Sequence, residues 1–187
     1  MNFDWEALDE QLGINNAVMF FKTHPVDTTE YQANYENIFQ LPQAVEVYSL
    51  LPGTDALISD YSSVIFDYML LDRPIIYYTP DLEDFESGCR SFNFRPAEVA
   101  VGPLCVTFEE FSRAIDQVCA NSEKVVYARR DEIMKRLHKF RDAKSNERVL
   151  RAINERCFDG KLVVNNRDQA TKHKVDAGKT AVLRLSD

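Results

Sequence analysis

Four consecutive residues, Asp60, Tyr61, Ser62 and Ser63, bring a carboxylate, a phenol and two hydroxyls to the point where an apolar run, ALISD (56–60), gives way to a helix-like segment, SSVIFDYMLLD (62–72). In a parallel sheet this places both serines and several uncommitted backbone N–H groups at the carboxyl end of a strand, facing out from a helix N-terminus. Backbone donors and the positive end of the helix dipole favour a phosphate there, and the hydroxyls add donors without net charge. The structural alternative is that Ser62 only caps the helix and Asp60 only closes an Asx turn. His24 ends another apolar run, AVMFFKTH (17–24), and is followed by Pro25; a lone histidine is more often a satisfied structural residue than a catalytic one. Asp67, one helical turn beyond Ser63, reads as structural.

Other chemistries find little support. The four cysteines (Cys89, Cys105, Cys119, Cys157) lack CxxC spacing and the three histidines are dispersed, so neither a zinc site nor a disulfide framework is expected. The adjacent carboxylates of DLEDFE do not define an octahedral magnesium site, and no metal cofactor is expected. No P-loop or GxGxxG occurs among only six glycines, which disfavours ATP hydrolysis and dinucleotide binding.

The elements that must position these residues alternate in the manner of βαβ units. A helix over WEALDEQLG, ending at Gly13, precedes the first strand (17–24). Asp27 and Glu30 form a capping-box-like start for a helix running through TEYQANYENIF, and VEVYS (45–49), ALISD (56–60), PIIYYTP (74–80) and PLCVT (103–107) read as further strands. Thr107 and Glu110 make a second capping box ahead of FEEFSRAIDQVCANS, where Phe108, Phe111, Ile115 and Val118 share a face. Val126, Ile133, Leu137 and Phe140 mark another amphipathic helix, and NERVLRAINERCF a last one. Residues 81–102 read as a long functional loop. Residues 1–158 thus make one domain, and 159–187, polar and aperiodic, a loosely ordered tail.

Charge narrows the partners. Residues 1–123 hold 21 acidic against 5 basic side chains, a net of −16, whereas 124–156 hold 11 basic against 5 acidic, a net of +6. So acidic a body does not bind nucleic acid through a general field, and an anionic ligand must be held by local donors. The basic stretch reads as a solvated helical face or as a surface toward an anionic polymer or membrane. No run approaches the roughly 18 to 20 apolar residues of a membrane-spanning helix, and the start MNFDWEALDEQ lacks signal-peptide character, so a cytoplasmic location is expected, with peripheral contact at the membrane's inner face left open.

The string DALISDYSSVIFDYMLLDRPIIYYTPDLEDF resembles the signature of the CDP-glycerol:poly(glycerophosphate) glycerophosphotransferase family, in which a strand, the DYSS turn, FD on the helix and a proline-led strand recur in that order. FFKTHP resembles the family's lysine-x-histidine-proline strand end, CRSF its arginine-containing loop and VGPLCVTFEEF its Gly-Pro step. RDAKSNERVLRAI resembles its final element, with Ala143 where the family usually has glycine.

This resemblance implies the C-terminal, donor-binding half of a GT-B fold, a Rossmann-like parallel α/β sheet with flanking helices. It implies attack of an acceptor hydroxyl on the β-phosphorus of CDP-glycerol, releasing CMP and lengthening a polyol-phosphate polymer of the teichoic acid or capsule type. Such phosphoryl transfer asks the protein to hold a diphosphate in line and stabilise its charge. Carried over by position, Ser62 and Ser63 contact the donor phosphates, with Asp60 orienting the turn. His24 donates to a phosphate oxygen or the leaving group, and Arg90 closes over the phosphates with its bidentate guanidinium. Arg148, with Asp142, lies at the site's edge. Full enzymes of this kind carry an N-terminal acceptor domain with the proposed general base, and their donor domain has a strand ahead of the first helix here. Both are expected to come from a missing domain or partner chain. The missing strand predicts an open sheet edge or gap, lowered stability or homodimerisation. The alternatives are a non-catalytic nucleotide-binding module, or a donor domain for CDP-ribitol or a UDP-sugar.

Overall fold

The computed structural model describes residues 3–23, 34–87, 94–121 and 129–158. The predicted capping-box start at Asp27 and Glu30, together with His24 and Arg90, lies outside them. The chain divides into two compact units, whose described parts are residues 3–133 and 134–158.

The first unit is built from α1 (Trp5–Ile14), β1 (Met19–Phe21), β2 (Ile38–Gln40), β3 (Leu57–Ser59), α2 (Val64–Tyr68), β4 (Ile75–Tyr78), α3 (Leu82–Ser87), α4 (Pro96–Val99), β5 (Leu104–Cys105) and α5 (Phe108–Asn121). It also holds the start of α6 (Arg130–Leu137). All pairing among the described residues is parallel, as expected of βαβ units: β1 with β2 in one sheet, and β3, β4 and β5, in that order, in another. The apolar run PIIYYTP forms the middle strand of the larger sheet, where Ile75, Ile76 and Tyr77 are buried. A strand covered on both faces needs such an uninterrupted apolar run.

Helices α1 and α5 supply the covering layer. Leu8 and Leu12 of α1 join Phe111, Ala114, Ile115 and Val118 of α5 in one core with Ile38, Ile76 and Cys105, each large side chain there contributing roughly 1.5–3 kcal/mol. The predicted apolar face of α5 is therefore the one it buries. Its capping box forms as spaced: Glu110 N–H donates to Thr107 Oγ1 at 3.2 Å, and the Glu110 carboxylate accepts from Val106 and Thr107 N–H at 2.9 and 3.2 Å. Those backbone donors hold the Glu110 carboxyl below its usual range. Opposite, Gln11 of α1 reaches the Ser112 carbonyl at 2.7 Å and Asp116 at 2.8 Å, fixing the register of the two helices.

Several expectations fail for local reasons. VEVYS is not a strand: Glu46 accepts from the N–H groups of Tyr48 and Ser49 and folds Val47–Ser49 into a 3-10 turn, followed by a second over Leu51–Gly53. The second strand is instead Ile38–Gln40, at the end of the segment expected to be helical. Only Ile38 is buried there, so apolar spacing gave it away poorly. Helix α1 runs past Gly13 to Ile14, and the left-handed turn that ends it falls on Asn16, at φ 50°. The loop expected over 81–102 contains the short helices α3 and α4.

Arg130 departs from both readings of the basic stretch 124–156, a solvated helical face or a surface toward an anionic polymer or membrane, since each needs the cation exposed. It is 5% exposed, and its guanidinium donates to the carbonyls of Met69 at 2.9 Å and Arg73 at 3.3 Å while pairing with Asp72 at 2.8 Å. These groups close the helical segment after α2, which ends on Asp72 in the left-handed conformation, at φ 59°.

Candidate functional site

Strand β3 ends at Ser59, and the next four residues turn into α2. The Asp60 carboxylate accepts from Ser62 N–H at 3.1 Å, so Asp60 shapes the turn, which was one of its two expected roles. Ser62 Oγ accepts a long 3.4 Å bond from Val64 N–H, a weak form of the cap that was its structural alternative. Ser63 occupies the position before α2 and makes no side-chain cap. Both serines are exposed. The strand-to-helix corner therefore presents two hydroxyls to solvent, as the apolar-strand, Ser-Ser, helix order predicts.

Beside it opens a cleft of about 210 Å³, lined by Asp60 and Tyr61 of the turn, Ile65 and Phe66 of α2, Tyr77 of β4, and Phe94, Pro96 and Val99 around α4. The residues flanking the serine pair on both sides thus form one wall. Tyr77 accepts from Val101 N–H at 3.3 Å, and burial pushes its phenol up to about 12. It is therefore a neutral wall at physiological pH. Tyr61 donates its phenolic proton to Asp81 at 2.9 Å, tying the turn after β3 to the turn after β4. Tyr48 donates to Asp67 at 2.8 Å, which gives Asp67 the structural place expected of it. The Tyr61 to Asp81 and Tyr48 to Asp67 bonds, each linking residues about twenty apart, were not visible as pairs in the sequence.

On the other sheet, Lys22 follows β1 and donates through Nζ to the carbonyls of Gln43 and Val45 at 2.9 and 2.6 Å. Its charge is thus held by the turn after β2. Among the described residues no group of three or more His, Cys, Asp or Glu side chains is arranged to hold a metal ion, and no helix is long and apolar enough to cross a membrane.

The second unit contains α7 (Ser145–Cys157). From within α7, Arg148 donates to Asp142, ahead of the helix, and stacks its guanidinium 3.8 Å above the Phe140 ring. The bond from Arg148 holds the Asp142 carboxyl below its usual range. Ala143 between them sits at φ 55°, a left-handed conformation that costs a side-chain-bearing residue about 1–2 kcal/mol. Ala143→Gly is expected to stabilise this segment by about 0.5–1 kcal/mol, the strain relief being partly offset by the looser unfolded chain. Amide exchange across residues 144–150 should slow about two- to five-fold; unchanged or faster exchange would show that the turn carries no strain.

The family model of CDP-Glycerol:Poly(glycerophosphate) glycerophosphotransferase matches residues 1–155. Among curated proteins, the chain is 34% identical over 152 residues to the teichoic acid ribitol-phosphate polymerase TarL of Staphylococcus aureus, covering 79% of this chain and 26% of TarL. It is 34% identical over 120 residues to a teichoic acid poly(glycerol phosphate) polymerase of Bacillus spizizenii, covering 62% of this chain and 29% of that protein. The chain thus spans between a quarter and a third of the length of these relatives. Among solved structures, the wall teichoic acid polymerase TagF superposes with a TM-score of 0.63 at 23% identity, over 83% of this chain and 38% of TagF. That likeness establishes the fold, a parallel α/β arrangement of the GT-B type. With the DYSS corner formed as its sequence order requires and the family model matching nearly the whole described chain, this protein belongs to the CDP-glycerol:poly(glycerophosphate) glycerophosphotransferase family.

Proposed function

We propose that this chain is the donor-binding part of a transferase that passes a polyol phosphate from its CDP-activated form to a growing polyol-phosphate polymer, releasing CMP. The observation that carries this reading is the exposed Ser62 and Ser63 pair where β3 meets α2, beside a cleft walled by aromatic rings. The hydroxyls and adjacent N–H groups receive the donor diphosphate, and Asp60 keeps the turn in the shape that presents them. The cleft takes the less charged part of the nucleotide. A variant of TagF has been examined after a soak with CDPG, which supports donor binding in a relative of this fold. His24 and Arg90 are proposed as further phosphate donors, and Arg148 as a residue at the edge of the site. No metal is proposed: charge on the diphosphate is met by these donors.

Relatives named for both ribitol phosphate and glycerol phosphate favour either polyol equally. Thermal denaturation with CDP, CDP-glycerol, CDP-ribitol and UDP tests the reading and resolves the donor. Cytidine ligands are expected to raise the melting temperature, and Ser62→Ala with Ser63→Ala to weaken binding about ten-fold or more, since each lost hydrogen bond to a charged group is worth about 1.5–3 kcal/mol. A melting temperature indifferent to every cytidine nucleotide would overturn it. The acceptor hydroxyl is the polymer's own, and on this reading the residues that hold the polymer and the general base that takes its proton belong to polypeptide outside these 187 residues.

A further inference from the structure

We infer that Thr79 is a specificity-determining residue of the donor site, its hydroxyl reserved for a hydroxyl of the nucleotide's ribose. This rests on the donor reading above and names what one further side chain does within it. Thr79 directly follows β4 and is 0% exposed, yet its Oγ1 makes no hydrogen bond. The rest of the residue is satisfied: its N–H donates to the Cys105 carbonyl at 2.8 Å, and its carbonyl accepts from Leu82 N–H at 3.2 Å. Buried hydroxyls are nearly always paired, because an unpaired one forfeits its bonds to water without return. A hydroxyl left so in the folded chain awaits a partner that the chain itself does not supply.

Strand alternation sets the direction of this side chain. Ile76 and Tyr78 of β4 pack toward α1 and α5, while Tyr77 turns to the opposite face and lines the cleft beside Ile65 and Phe66 of α2. Thr79 extends the ladder to β5 through its N–H, so it continues the Tyr77 face, about 6.6 Å nearer the carboxyl edge. On the other side Ser59 pairs with Tyr77, so the turn through the cleft residues Asp60 and Tyr61 starts level with the end of β4. Tyr61 in turn bonds Asp81, two residues past Thr79. Thr79 therefore lies between the aromatic cleft and the Ser62 and Ser63 corner. Among the described residues two other buried side-chain atoms lack a partner, but Asp55 Oδ2 precedes β3 and Arg148 Nη1 lies in the second unit, so neither shares this place.

Position and chemistry together select the sugar. The diphosphate calls for donors open to solvent, which the two exposed serines supply. The flat base fits against the rings of Tyr61, Phe66, Tyr77 and Phe94. What joins base to diphosphate is a ribose, whose neutral hydroxyls each donate and accept, as a threonine hydroxyl does. One such pairing satisfies both groups at once. Because Oγ1 has no protein partner to give up, the bond adds its full value to binding, and a nucleotide without that hydroxyl leaves Thr79 unpaired. Meeting it asks for a side-chain adjustment in the cleft wall, of the kind common on binding.

Calorimetric titration of the 187-residue chain with CDP, 2′-deoxy-CDP and 3′-deoxy-CDP tests this, together with the melting temperature of the nucleotide-free chain. Valine keeps the β-branched shape of threonine and removes the hydroxyl. Thr79→Val is expected to raise the melting temperature of the free chain by about 2–8 °C, since a buried unpaired group is lost. It is expected to weaken CDP binding about three- to ten-fold. It should also abolish the wild-type preference for CDP over one of the two deoxy analogues, a preference of about the same size. Thr79→Ser, which keeps the hydroxyl, should keep that preference. Three results overturn the inference and leave the donor reading standing: equal binding of CDP and both analogues by the wild-type chain, full CDP affinity in Thr79→Val, or a lowered melting temperature or lost folding in Thr79→Val, which would show that the hydroxyl is paired within the fold. A wild-type chain that binds no cytidine nucleotide overturns the donor reading and this inference with it.

Discussion

A Gly102→Ala chain is expected to lose about 4 kcal/mol or more of folding stability, in the range reserved for the most disruptive single changes. A Cβ at this position would stand 1.6 Å from the Ile75 carbonyl oxygen and 2.8 Å from its carbon. Both atoms are backbone, so no rotamer relieves the clash. Ile75 belongs to the buried middle strand, where retreat would disturb pairing to β3 on one side and β5 on the other. Gly102 precedes β5, so the segment must bulge or β5 must detach, and both routes open the core around Cys105 and Phe111. Urea denaturation followed by circular dichroism reads the effect. A loss under about 1 kcal/mol would mean that the strand yields cheaply, contrary to the close packing of interiors.

Arg130→Met is expected to cost about 2–3 kcal/mol, chiefly because the Met69 carbonyl, held at 2.9 Å in a buried place, is left without a donor. The ion pair contributes little: the Asp72 side chain is 86% exposed, and water replaces its partner. Asp72→Asn should therefore change stability by no more than about 0.5 kcal/mol, since asparagine also accepts the left-handed conformation found there. If the two substitutions proved equally costly, the electrostatic pair and not the carbonyl cap would be the source of stability.

Legibility in the sequence followed the range of the interaction. IIYY announced a strand because its apolar character is written in adjacent residues, and Thr107 with Glu110 announced a helix start because a capping box closes within one turn. The serine corner was readable for the same reason: strand, hydroxyls and helix are contiguous. VEVYS misled because its alternation matched a strand while Glu46, just two and three residues from the N–H groups it accepts, offered a tighter local solution. Ile38–Gln40 was missed because three residues with one buried side chain carry almost no period. The need for glycine at 102 comes from Ile75, twenty-seven positions earlier, and no spacing rule reports such an approach. Likewise Arg130 looked like one more solvated cation in a basic stretch until tertiary packing brought it to the Met69 carbonyl.

The phenol of Tyr61 anchored on Asp81 bears on how tightly a small anion can be gripped. A corner free to swing would surrender motion each time a guest arrived, and that entropy would be subtracted from the affinity. Because neighbouring strand exits are already strapped together, the serine corner has given up that freedom during folding, and a guest meets a seat set in advance. Cutting the strap with Tyr61→Phe should leave the hydroxyls in place while making their grip looser.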